Sequence, residues 1–205
     1  MKKYYAVKVG KKTGVFFDEW ANVLELVKSY PNAVYKGFNK KEEADEWFNA
    51  TENKVLKNKD DAVEIYCDGS FFKEQPEEVG YGVIVIKEGK IISRFGGKKK
   101  NLYEGNNVAG EIFGVLEAIK YCLRKNYLSV VIYHDYAGLK EWVIGNWKTS
   151  TKLSTFYVQE YKKLLASNPE LQVVFEKVKG HSDNKYNDLA DKYAKNALLK
   201  QEEKK

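Results

Sequence analysis

With 205 residues, 43% of them hydrophobic and 14% aromatic, the chain has apolar material for one large packed domain or two modest ones, which excludes a largely disordered protein. A formal charge of +6 leans toward a polyanionic partner without requiring one. No run approaches the ~18 apolar residues of a membrane span, and the opening MKKYYAVKVGKK lacks the apolar stretch of a signal peptide. No membrane association and a cytoplasmic location are expected.

The first residues alternate apolar and polar in YYAVKVG, turn at KKTG and resume in VFF, which predicts a hairpin with Gly14 at the turn. Trp20, Val23, Leu24 and Val27 recur at helical spacing up to Pro31. A third strand, AVYKGF, and a helix from Lys40 to Phe48 complete a ββαβα unit. Val7, Val9, Val23, Leu24 and Val27 are its expected core. So small a unit has little room for a deep cleft. The polar stretch ENKVLKNKDD reads as a linker, which divides the chain into a domain at 1–51, a linker at 52–61, a second domain at 62–199 and a disordered tail at 200–205.

The second domain opens with three strands, AVEIYC, YGVIVIKEG and KIISRFGG, the last two joined at Glu88–Gly89. Val108, Ile112, Val115, Leu116, Ile119 and Leu123 then mark one face of a helix. The apolar strand SVVIYH follows, with helices at Ala137–Trp147 and Ser154–Ala166, the strand LQVVFEKV, and a last helix at Lys185–Leu199. The order predicts an α/β domain, a mixed five-stranded sheet with helices on its faces. Cys67 and Cys122 lie in apolar segments and read as reduced, buried thiols.

Four acids stand where such a fold gathers ligands. Asp68 ends the first strand of this domain in CDGS, and Asp135 ends the fourth in YHDY, at the carboxyl edge of the sheet. Glu111 falls in the first turns of the long helix, and Asp191 on the last helix in NDLADKYA. Each alone reads as a turn, cap or helix-dipole residue. Together they would repel one another unless a divalent cation neutralised them. Their oxygens suit Mg²⁺ or Mn²⁺ better than zinc. Two such ions ~4 Å apart can activate a water and stabilise a leaving oxygen in phosphodiester cleavage.

CDGS, NNVAGEIFGVLEAI, the strand-end HD and KGHSDNKYNDLADKYA follow the order and spacing of type 1 ribonuclease H, which residues from about Ala62 to Leu198 resemble. The resemblance implies a metal-dependent endonuclease that cuts the RNA strand of RNA/DNA hybrids and leaves 5′-phosphate and 3′-hydroxyl ends. Asp68, Glu111, Asp135 and Asp191 would hold two Mg²⁺ ions. The spacing after GHS selects Asp191 over Asp188, which reads as a solvated or supporting residue. His181 would assist proton transfer or product release. Asn107 would contact the minor groove, where its bland reading is a helix N-cap. Two departures stand out: Tyr136-Ala137-Gly138 where many members carry Ser and Gln, and no long basic protrusion between Trp147 and Phe156.

Residues 3–48 are similar to the small hybrid-binding domain attached to some ribonucleases H. In that resemblance Tyr5, Trp20 and Tyr35 match aromatic positions facing the DNA strand and Lys36 a basic one, whereas Gly37 replaces a second basic residue. Lys11 and Lys12 could add charge. The partner implied is an RNA/DNA hybrid duplex, and no obligate protein partner is evident. Two competing readings stand beside the nuclease: a non-catalytic hybrid-binding protein with a degenerate nuclease fold, and a nuclease or strand-transfer domain of the same fold acting on DNA.

Overall fold

The computed structural model describes residues 1–31, 33–49, 62–178 and 184–199. The expected linker at 52–61, the tail at 200–205 and the GHS segment with His181 lie outside the described residues. The chain divides into two compact units, Met1–Glu52 with Ile144–Lys148, and Asn53–Val143 with Thr149–Lys205.

The first unit contains β1 (Lys3–Val9), β2 (Gly14–Asp18), α1 (Trp20–Val27), β3 (Val34–Phe38) and α2 (Lys41–Asn49), the expected ββαβα order. Its antiparallel sheet has the order β2-β1-β3. Because side chains alternate along a strand, β1 serves both helices. Tyr5 and Val7 pack with Val23 and Val27 of α1, whereas Ala6 packs with Ala44 and Trp47 of α2. Helix α1 stops at Val27, short of Pro31, because Ser29 turns left-handed at φ 57°.

The second unit contains β4 (Val63–Ser70), β5 (Glu78–Lys87), β6 (Lys90–Lys100), α3 (Asn106–Arg124), β7 (Ser129–His134), α4 (Gly138–Val143), α5 (Lys152–Ala166), β8 (Gln172–Lys177) and α6 (Lys185–Leu199). The five-stranded sheet runs β6-β5-β4-β7-β8. Strands β4, β5 and β6 form an antiparallel meander, and β7 and β8 continue the sheet parallel to β4. One face of β4 buries Val63, Ile65 and Cys67 against Ile112, Val115 and Ile119 of α3, in a core that also takes in Leu139 and Tyr157. The other face offers Tyr66, which packs with Ile84, Ile86 and Ala190 of α6. Cys67 and Cys122 are free and buried, as expected.

Two local expectations change. The helix expected over Ala137–Trp147 is only Gly138–Val143, because Gly145 adopts a left-handed φ of 77° that ends a helix. A 3₁₀ turn at Leu102–Glu104 precedes α3, with left-handed backbone at Tyr103, Glu104 and Asn106. Among the described residues no helix is long and apolar enough to cross a membrane.

Candidate active site

Parallel pairing of β4 with β7 sets Tyr66 opposite Tyr133, so Asp68 and Asp135 lie two residues further along neighbouring strands. The two tyrosine rings stack at 4.5 Å and 12°, bracing the strands just before the acids. Asp68 is not the last residue of its strand. It pairs with Gly82 of β5 inside β4, and its Oδ1 accepts the Gly69 N–H at 2.7 Å. Asp135 follows the end of β7 directly. Beside it, His134 is buried, with Nδ1 donating to the Tyr136 carbonyl at 2.9 Å, and burial pushes its pKa down to about 4. A neutral imidazole thus ties down the turn that carries Asp135.

Two glycines let the helices bring in the other acids. At Gly69 a Cβ would overlap the Glu111 backbone nitrogen and the Asn107 carbonyl, so α3 seats its first turns directly on β4. At Gly82 a Cβ would overlap the Ala190 carbonyl, so α6 lies equally close to β5 and sets down Asp191 next to that contact. Asp68, Glu111, Asp135 and Asp191 accordingly line one cavity of about 310 Å³, together with Ser70, Phe71, Asn107, Asn187, Asp188 and Lys195.

The cavity disfavours negative charge. Burial, then the Asp135 and Asp191 charges, push Asp68 up to about 7 against the opposing pull of the Gly69 N–H and Lys195. Glu111 is 8% exposed, and burial followed by the Asp135 and Asp68 charges raises it to about 9. Lys195 Nζ holds the Asp191 carboxylate at 2.7 Å, one helical turn on. Among the described residues no three acidic, His or Cys side chains stand close enough together to enclose a single ion. Two buried oxygens in the cavity, Glu111 Oε2 and Asn187 Oδ1, have no hydrogen-bond partner among the described residues.

Asn107 lines the cavity from inside α3, whose N-cap is Gly105, so it does not take the cap role. The Tyr136-Ala137-Gly138 departure has a packing explanation: the Tyr136 ring lies against Gly138 and meets Trp142 edge-on at 5.5 Å. In the first unit, Trp20 and Tyr35 are 38% and 42% exposed, with ring centroids 5.3 Å apart. Tyr5 is only 9% exposed and supports Trp20 from beneath at 5.6 Å. Lys36 pairs with Ala6 across the sheet and reaches over Phe38, on the α2 face, so the structure does not gather it with Trp20 and Tyr35. Gly37 sits under the Tyr5 ring, where a Cβ would come within 3.2 Å of Cε1. A side chain there would press on the aromatic group.

Lys195 and Asn187 were not among the expected site residues. The signal for both was present, since Asn187, Asp191 and Lys195 follow at intervals of four and share one helix face.

A family model described as the Ribonuclease H1 N-terminal domain matches residues 3–48, and one described as RNase H matches residues 60–199. The chain is 30% identical over 149 residues to the Ribonuclease H of Caldanaerobacter subterraneus, a match covering 71% of this chain and 96% of that protein. It is 33% identical over 144 residues to the Ribonuclease H of Chromobacterium violaceum, covering 66% and 93%. Among solved structures, RNase H1 from the archaeon Halobacterium salinarum superposes with a TM-score of 0.57 at 18% identity, over 67% of this chain and 98% of that one. LC11-RNase H1 in complex with an RNA/DNA hybrid gives 0.54 at 15% identity, over 66% and 99%. Those two likenesses show a shared fold.

Proposed function

The chain belongs to the ribonuclease H family, and on that basis we propose that it hydrolyses the RNA strand of RNA/DNA hybrids in the cavity walled by Asp68, Glu111, Asp135 and Asp191, leaving 5′-phosphate and 3′-hydroxyl ends. The observation that carries this reading is the origin of the four acids. They come from four separate stretches of the chain and line one cavity, where burial, followed by the charges of their neighbours, lifts two of them far above the ordinary carboxylate range. A chain gains no stability from burying carboxyl groups against one another, so a charge-neutralising occupant explains their retention.

The donor set fits hard divalent cations. All four side chains offer carboxylate oxygens, and Glu111 Oε2 is buried with no partner among the described residues. Asp68, Glu111, Asp135 and Asp191 would hold two Mg²⁺ ions, or Mn²⁺. When bound, such ions supply charge stabilisation at the scissile phosphate and acidify water for the attack. Asp68 and Glu111 would give up their protons on metal binding, which makes affinity rise with pH. Asn107, on the cavity rim, would direct its amide to the minor groove, where 2′-hydroxyls distinguish RNA. His181, from the segment leading into α6, would take part in proton transfer or product release.

Residues 1–51 would act as a hybrid-binding domain, joined through 52–61 to the catalytic domain at 62–199, so that one domain grips while the other cuts. Trp20 and Tyr35 offer exposed rings to sugars or bases, and Tyr5 holds Trp20 in place. Contacts of this kind carry little sequence information, so cleavage should show low sequence preference. Free, buried Cys67 and Cys122 fit a reducing cytoplasm.

The test is a cleavage gel with labelled hybrid, duplex RNA and duplex DNA, each in Mg²⁺, Mn²⁺ or chelator. Hybrid alone should be cut, and only with a divalent ion. Asp135→Asn should abolish cutting with an unchanged circular dichroism spectrum. Full activity in that variant would rule out the site.

A further inference from the structure

Burial of an amide oxygen without a hydrogen bond is unfavourable, and folded chains keep such an atom where something else satisfies it. Asn187 Oδ1 is such an atom. The residue is 5% exposed, lines the acid cavity, and its side-chain oxygen meets no donor among the described residues. Its backbone role is already filled, since its N–H donates to Asn184 Oδ1 at 3.3 Å in the cap of α6. The side chain is therefore not needed to start the helix.

Its placement is fixed from two directions. Along α6, Asn187 precedes Asp191 by one turn and Lys195 by two, and all three face the cavity. Across the sheet, Ala190 of the same helix sits so close to Gly82 that a Cβ there would overlap its carbonyl, which fixes the distance of the helix from β5. A carboxamide also has a chemical advantage here. It offers an oxygen with no charge and no titratable proton, so it adds a donor without adding another negative charge to a cavity that already holds four carboxyl groups.

We propose that Asn187 is a fifth oxygen donor of this site, its Oδ1 binding the divalent cation held by the carboxylates, either directly or through an ordered water. This rests on the reading of the cavity as the metal-dependent active site.

The test is calorimetric titration of Mn²⁺ into the full-length protein without substrate, comparing wild type, Asn187→Leu, Asn187→Asp and Asp135→Asn. Asn187→Leu keeps the volume and removes the oxygen. Its Mn²⁺ affinity should fall about 10-fold or more, within the range for lost supporting groups at metal sites. The Mg²⁺ concentration for half-maximal cleavage should rise in parallel, with KM for hybrid little changed. Asn187→Asp restores an oxygen and should bind Mn²⁺ at least as tightly as wild type. In chelator, Asn187→Leu should melt at or above the wild-type temperature, because an unsatisfied oxygen has been removed. A purely structural asparagine would instead lower it, and that result would overturn the proposal. If the leucine variant does not fold, Asn187→Ala, which likewise lacks the oxygen, serves in its place, with the same expected loss of affinity. Unchanged Mn²⁺ affinity on losing Asn187 Oδ1, with affinity lost in Asp135→Asn, would overturn this inference alone. No Mn²⁺ binding by the wild-type protein would overturn both this inference and the site assignment beneath it.

Discussion

Replacing Asp68 by Asn should make the metal-free protein more stable while destroying its activity. The amide keeps the shape of the side chain and an oxygen for the Gly69 N–H, and it removes a charge that burial and Asp135 oppose. The folded-state value near 7 lies well above the free side chain's 3.8. At 1.36 kcal/mol per pH unit, ionising Asp68 costs the fold up to about 4 kcal/mol. Relaxation and water entry into an open cavity should reduce this to about 1–3 kcal/mol. A carboxyl whose pKa is raised by folding stabilises the fold fully below its unfolded value, and that contribution is lost as pH climbs to the folded one. The window for Asp68 is therefore about pH 3.8 to 7. In thermal melts followed by circular dichroism in EDTA, Asp68→Asn should exceed wild type by several degrees at pH 8, at roughly 2–4 °C per kcal/mol. The gap should close near pH 4. Mg²⁺ should narrow it at pH 8 by stabilising wild type alone. A variant less stable than wild type at pH 8 in EDTA, or a gap that ignores pH, would refute the reasoning.

Gly82→Ala places a methyl group against the Ala190 carbonyl and must displace α6; urea denaturation should show a loss of about 1–3 kcal/mol, and hybrid cleavage should fall with it. An unshifted midpoint would mean the helix has slack. Trp20→Ala removes the ring that stands between Tyr5 and Tyr35; fluorescence anisotropy should report affinity for long hybrids about 5- to 100-fold weaker, with turnover on short hybrids unchanged. Equal affinity at every length would remove Trp20 from substrate capture. Thr151→Ala breaks the capping box in which Thr151 Oγ1 accepts the Ser154 N–H at 3.1 Å; it should cost about 0.5–2 kcal/mol by denaturation, without altering the Mg²⁺ dependence of cleavage.

Periodicity was a good guide where one face of an element decides its fate. The apolar rows of α3 and the bounds of α6 were legible because each helix buries a single stripe against the sheet. Strand β4 was harder. Its continuation past Asp68 depends on pairing with Gly82, a partner brought in from another strand, and no local pattern reports such pairing. Helix α4 misled for the opposite reason: Trp142, Val143 and Trp147 keep a helical rhythm that the left-handed backbone at Gly145 interrupts. In the first unit the alternation of β3 already separates Tyr35 from Lys36, a geometric fact that matching residues one at a time passes over. The four acids named from sequence line one cavity, as the strand ends and helix turns that carry them led one to expect. The pairing of Lys195 with Asp191, four apart on one helix, was also within reach of the sequence, whereas the burial of Asn187 with an idle oxygen follows only once α6 has been laid on the sheet.

The backbone-to-backbone seats at Gly69 and Gly82 also bear on how this molecule could be altered. Most joints between helices and sheets are cushioned by side chains, and a clumsy substitution at one point is absorbed by neighbours changing rotamer. Here there is no cushion to rearrange. Exchanging glycine for alanine, a familiar route to thermal hardiness, is closed at both joints, so improvement must be sought on outward surfaces. The same two places hold the helices to the sheet and set the shape of the cavity, and neither can be tuned there without moving the other.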